Sequence, residues 1–169
     1  MNEKDENSVL WFYRQTVRTL LEKGDTDMIP NSSKDHASII LQEMLKFART
    51  SFRAYSGGLA RDVWNDGVLD EIVAAANRGV DVRIVVAKGS ADGIREDVRR
   101  FVTCVPASLD AGMREKIESV DHFSVADARA IRIENDRAAR KAVFCANNPA
   151  VADLLAKTHK AIARTIEAA

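Results

Sequence analysis

The sequence predicts an α/β fold, and three features carry that prediction. A helical pattern over residues 66–79 runs through a glycine into the β-branched run VDVRIVVA at 80–87. Together with an earlier helix and a strand at 51–55 this makes a β-α-β crossover, and such a crossover sets its two strands parallel in one sheet. Residues 123–126 and 130–133 alternate about a short turn at 127–129, which reads as a hairpin. The expected architecture is a mixed, mostly parallel β-sheet flanked by helices on both faces. Val82, Ile84 and Val86 belong at its centre, because strands buried on both sides read as continuous apolar runs.

Taken in order, the first element is a helix over about 24 residues. Asn7 can cap it, Val9, Phe12, Tyr13, Val17, Leu20 and Leu21 recur at spacings of three and four, and Gly24 stops it. The stretch GDTDMIPNSS is the one polar break containing Gly and Pro, so the helix reads either as an appendage docked on the body or as an arm for a protein partner. The division is residues 1–31 for helix and linker and 32–169 for the main domain. Ser32 or Ser33 caps a second helix with the apolar face Ala37, Ile40, Leu41, Met44, Leu45 and Ala48. The strand at 51–55 ends at Gly57 and Gly58. Asp66 is the N-cap candidate of the next helix, Leu69, Ile72, Val73 and Ala76 are its buried stripe, and Gly79 is its C-cap. Residues 94–102 and 113–117 read as helices separated by the breaker Pro106. A further strand follows the hairpin at 141–146. Asn148 as N-cap and Pro149 at the first helical position open a last helix with Val151, Leu154, Leu155, Ile162 and Ile166 inward.

Composition excludes several classes of protein. The 169 residues are 46% hydrophobic and 30% charged, the balance of a globular domain that buries its own core without disulfides. Cys104 and Cys145 stand in no metal-ligating spacing, and the acidic start MNEKDENSV is unlike a secretory signal, so a cytoplasmic location is expected. Apolar runs are far shorter than the roughly 20 residues a membrane-crossing helix needs. Lys plus Arg and Asp plus Glu each number 25, so the net charge steers toward neither nucleic acid nor an anionic membrane. Residues 129–169 nevertheless hold eight basic side chains against four acidic ones, which suits either a phosphate site or a solvated helix face. His36 and His159 lie apart from any HxH or HxxxH spacing, and no metal site or cofactor is expected. No GxGxxG, P-loop or GxSxG string occurs.

Three segments, VLDEIVAAANRGVDVRIVV, DHFSVADARAIRIE and KAVFCANNPAVADLLAKTHKAI, in this order resemble one lobe of the phospholipase D superfamily. They correspond to its helix and central strand, its strand and hairpin with the catalytic histidine, and its last strand and closing helix. The resemblance runs from about residue 33 to 166. The family's signature is His-x-Lys, four residues, Asp, then Gly-Ser-x-Asn. Here His122 takes the histidine place, Ser124 holds the lysine place, and Arg129 stands where the aspartate belongs. Asp127 is the nearest carboxylate, displaced by two positions, and Asn135 alone stands in for the last segment.

The resemblance implies metal-independent phosphodiester chemistry, in which an imidazole nitrogen attacks phosphorus and a second histidine protonates the leaving oxygen. His122, Ser124 and Asp127 are then the candidate catalytic residues. Removing a charged donor from such a site costs on the order of 100-fold in rate. Arg129 or Arg132, on or near the hairpin's return strand, supplies a guanidinium to phosphate in its stead. Asn135, Ser56 and Gly57 complete the candidate phosphate-binding set, with backbone N–H groups of the Ser56-Gly57-Gly58 turn facing an anion; a plain tight turn is the other reading. His122 has a simpler reading too, a bond to Asp121 or Asp127. Because the family builds its site from two lobes, a single-lobe chain implies a homodimer with the His122 regions near the two-fold axis. Three functions stay open: an impaired module that binds phosphate-containing or nucleic-acid ligands, an active phosphodiesterase or nuclease, and an unrelated α/β domain.

Overall fold

The computed structural model describes residues 3–88, 93–136 and 141–169. In chain order the elements are α1 (Glu3–Lys23), β1 (Met28–Asn31), α2 (Lys34–Phe47), β2 (Ser51–Ser56), α3 (Asp66–Asn77), β3 (Asp81–Val86) and α4 (Glu96–Arg99). They continue with β4 (Val102–Cys104), α5 (Ala111–Glu118), β5 (His122–Ala126), β6 (Ala130–Asp136), β7 (Lys141–Cys145) and α6 (Pro149–Glu167). The seven strands among the described residues form one sheet in the order β1-β7-β6-β5-β2-β3-β4.

The α/β class and the mixed sheet hold, but the sheet is mostly antiparallel. Parallel pairing is confined to β2 with β3 and β3 with β4, whereas β2–β5, β5–β6, β6–β7 and β1–β7 are antiparallel. The reason is local. Parallel neighbours need a crossover such as α3, while β5, β6 and β7 follow one another through short connections that allow only antiparallel neighbours. Asp127 and Ala128 make the β5–β6 turn with φ of +52° and +54°, the left-handed conformation that a tight hairpin turn demands.

Two apolar layers sandwich the sheet. On one face Phe52, Ala54, Val82, Ile84, Val86 and Phe144 meet α1, α2 and α3 through Val17, Leu21, Ile40, Met44, Val68 and Ile72. On the other, Tyr55, Val85, Phe123, Val125 and Ile131 meet α5 and α6 through Ile117, Ala152 and Ile162. Val82, Ile84 and Val86 are buried, as expected of a central strand.

Three local expectations differ, and the first helix takes the docked form of its two readings. The polar stretch after α1 contains β1, an edge strand in which Pro30 is tolerated because one side of the strand carries no ladder. α1 is anchored to the body: Glu43 of α2, fully buried, accepts from Arg14 at 2.5 Å, Arg18 at 3.2 Å and Lys46 at 3.3 Å. Burial pushes the Glu43 carboxyl up, but those cations outweigh it and hold it below its ordinary value. Val9, Trp11 and Phe12 stay exposed near the helix start. Asn65, rather than Asp66, caps α3 by accepting from the Val68 N–H at 3.1 Å. The helix expected at 94–102 shrinks to α4, and β4 follows it onto β3.

Candidate functional site

The β5–β6 hairpin turns about residue 128, so each residue of β5 faces a fixed partner on β6. His122 lies opposite Glu134, Ser124 opposite Arg132, and Ala126 opposite Ala130. Side chains two apart on a strand share a face. His122, Ser124, Arg132 and Glu134 therefore form a square on the face that α1, α2 and α3 cover. Beyond it the Ser56–Gly58 turn and the segment to Trp64 leave a cavity of about 270 Å³. Tyr55, Ser56, Gly57, Trp64, His122, Ser124, Arg132 and Glu134 contribute to its wall.

Both nitrogens of His122 are engaged. Nδ1 lies 2.7 Å from Glu134 Oε2, and Nε2 accepts the Gly57 backbone N–H at 2.9 Å. An accepting Nε2 places the proton on Nδ1, so Nδ1–H donates to the Glu134 carboxylate. This is the tautomer that keeps a lone pair on Nε2, at the cavity wall, where the Gly57 amide occupies it. That hydrogen bond has to open before Nε2 can attack anything. It also explains the glycine: a Cβ on residue 57 would lie 2.6 Å from His122 Nε2. Ser56 Oγ donates to the Gly58 carbonyl at 2.7 Å and holds the turn.

Among the described residues that line the cavity, Arg132 is the cation. It is 6% exposed, and its Nε donates to Asn31 Oδ1 at 2.8 Å. Among the described residues it forms no ion pair. Burial lowers its pKa, opposed by the nearby Glu134 charge, yet a guanidinium stays protonated at any ordinary pH. Tyr13 of α1 approaches the same group and donates its hydroxyl to the Pro30 carbonyl at 3.1 Å. Burial pushes that hydroxyl up to about 12, the Arg132 charge opposing, so Tyr13 is neutral.

The structure thus brings together His122, Ser124, Arg132, Ser56 and Gly57 from the sequence expectation. It separates the others. Asp127 sits at the far end of β5 and brackets the loop before β2, where its carboxylate accepts the N–H groups of Arg49, Thr50 and Ser51 at 2.8–3.1 Å. Burial raises its pKa, but those amides outweigh it and hold the carboxyl below its ordinary value. The candidate catalytic role for Asp127 is corrected accordingly: it staples two loops and lies outside the cavity. Arg129 belongs to the same distant turn, where its carbonyl accepts the Asn148 N–H at 2.7 Å. Asn135 is exposed and lines no part of the cavity. The partner of His122 is Glu134, not Asp121 or Asp127, and the Gly57 amide faces the imidazole instead of standing free for an anion.

Glu134 and Asn31 are the functional candidates that sequence reasoning missed. Glu134 had a signal, since a hairpin centred on 128 pairs 122 with 134. Asn31 had none, being 101 residues from Arg132 on an unforeseen strand. Among the described residues no group of three or more His, Cys, Asp or Glu side chains is placed to hold a metal ion, and no helix is long and apolar enough to cross a membrane.

No family model and no curated protein matches the chain. Among solved structures it is similar to Nuc from Salmonella typhimurium, a phospholipase D family member. The TM-score is 0.59 at 19% identity, covering 83% of this chain and 96% of that one. It is also similar to TrmBL2, an archaeal chromatin protein whose structure shows a novel mode of DNA binding. There the TM-score is 0.58 at 15% identity, covering 93% of this chain and 61% of that one. At such identities the likeness concerns the fold, which is phospholipase D-like.

Proposed function

We propose that the chain is a catalytically impaired phospholipase D-like module that binds a phosphate-containing ligand, most simply a nucleic-acid phosphodiester, in the cavity between β5, β6 and the Ser56–Gly58 turn. The observation that carries this reading is Arg132: a buried guanidinium, without an ion pair among the described residues, on the wall of a cavity beside His122. It stands directly across the ladder from Ser124, so the cation that the family resemblance expects on β5 is supplied from β6. A guanidinium donates to two oxygens of one phosphate, which suits binding and orientation. Two features argue against turnover. The lysine place holds a neutral hydroxyl, and His122 Nε2 is occupied by the Gly57 amide.

The test is a titration of inorganic phosphate and of fluorescent single-stranded DNA into the whole chain. Binding that weakens at least about tenfold in Arg132→Gln and falls with rising salt is expected. Affinity unchanged in Arg132→Gln would refute the reading. A second reading, an active metal-independent phosphodiesterase, draws on the His122–Glu134 pair, because a carboxylate on Nδ1 orients an imidazole for attack through Nε2. It requires a second histidine from another copy in a homodimer. Cleavage of a phosphodiester in EDTA that disappears in His122→Ala, with light scattering at twice the 18.6 kDa of one chain, would establish it. No cleavage is expected.

A further inference from the structure

We propose that Asn31 is a positioning residue for the anion: it fixes the Arg132 guanidinium through Nε while, as an uncharged acceptor, leaving its positive charge to the ligand. This rests on the phosphate-binding reading above. Asn31 is 1% exposed and lies on β1, opposite Ala142 and in the same row of the sheet as Glu134 and His122. Its amide is held in one orientation. Nδ2 donates to the Ser33 carbonyl at 2.9 Å, so Oδ1 is the atom that accepts from Arg132 Nε. Ser33 is itself fixed as the N-cap of α2, its hydroxyl accepting the His36 N–H at 3.1 Å. A chain of three hydrogen bonds therefore ties the start of α2 to the guanidinium.

The chemistry of the partner decides what the arginine can do. An arginine as buried as Arg132 ordinarily pairs with a carboxylate, because an uncompensated charge in a low-dielectric interior is costly. A carboxylate on Nε would neutralise it in place. Asn31 keeps the geometry and withholds the charge, and Tyr13, the other group facing Arg132 from α1, is neutral. Glu134, a charge close to Arg132 among the described residues, has the imidazole of His122 as a partner at 2.7 Å. With Nε occupied, the amino groups of Arg132 are the donors left for the cavity, and a tetrahedral oxyanion there completes the pairing.

The experiment compares Asn31→Asp and Asn31→Ala in the full chain, reading inorganic-phosphate affinity by calorimetry and the thermal midpoint of each variant. Asn31→Asp is nearly isosteric and keeps an acceptor on Nε; it is expected to fold with a midpoint close to that of the unaltered chain. Its phosphate affinity should nevertheless fall by about tenfold or more, because the guanidinium is then already paired. Asn31→Ala removes the hydrogen bond without adding charge, and its affinity should fall less, by about threefold. A purely structural Asn31 gives the opposite ranking, with Ala the worse variant for both midpoint and binding, and that result overturns the inference. Phosphate affinity equal in all three proteins, but lost in Arg132→Gln, overturns it too while leaving the phosphate reading intact. A chain that binds no phosphate at all refutes that reading and this inference together.

Discussion

His159 offers a prediction whose size follows from its surroundings. It lies on α6, is 3% exposed, and its Nε2 has no hydrogen-bond partner among the described residues. Burial first, then the charges of Arg53 and Arg83, lower its pKa from 6.5 to about 4. The folded chain therefore holds fewer protons than the unfolded chain between these values, and stability rises with pH across that window. The neutral imidazole contributes fully above pH 6.5, and the contribution is lost as pH falls toward 4. Integrating over the window gives a loss of about 2 kcal/mol at pH 5 and about 3 kcal/mol at pH 4. Carboxylates held below their ordinary values, such as Asp127 and Glu43, lose stability only at lower pH, below the ordinary 3.8 and 4.5. Above pH 4.5 these carboxylates contribute little, but His36, whose imidazole burial also holds below its ordinary value, acts with the same sign, so the His159 share is the difference between the unaltered chain and His159→Leu. Urea denaturation at pH 7, 6, 5 and 4.5 should trace this loss in the unaltered chain and a much flatter dependence in His159→Leu. Proton NMR should report the imidazole titrating near 4. An imidazole titrating near 6.5, or equal pH dependence in the two proteins, would show that the environment has been misjudged.

Three other outcomes follow from the site and its frame. Asp127→Ala removes an acceptor of several backbone N–H groups and leaves a non-glycine residue at positive φ; a loss of about 2 kcal/mol in urea denaturation is expected, with phosphate affinity unchanged. A phosphate affinity that falls with Asp127→Ala would restore it to the site. Gly57→Ala drives a Cβ against His122 Nε2 and should cost about 1–3 kcal/mol, with a change in the His122 ring-nitrogen NMR signals that reports loss of the Gly57 amide; unaltered signals would contradict the geometry. Exchanging the cation across the ladder, Ser124→Lys with Arg132→Ser, should keep phosphate affinity within about tenfold of the unaltered chain, whereas Arg132→Ser alone should lose it. A double variant as weak as the single one would mean that cation position, not merely its presence in the cavity, decides binding.

The elements themselves were written in local sequence. Apolar spacing of three and four marked α2, α3 and α6, Asn148 and Pro149 placed the start of α6, and the unbroken β-branched run marked β3 as a buried strand. The short turn at 127–129 made a hairpin, and once its centre is fixed at 128 the pairs 122 with 134 and 124 with 132 are determined as well. His122 and Arg132 were therefore legible as neighbours on one face, because hairpin register is a property of adjacent residues. Sheet order was not. Nothing near β1 announces that MIPN pairs with β7, since a four-residue edge strand containing proline owes its conformation to the ladder it joins and not to its own propensity. The antiparallel pairing of β2 with β5 and of β1 with β7, and the place of Asp127 at the loop before β2, were likewise decided by which strands lie side by side. So was the neutral partner given to Arg132. Each depends on groups tens of residues apart being brought within 3 Å, and only burial of both faces of the sheet does that.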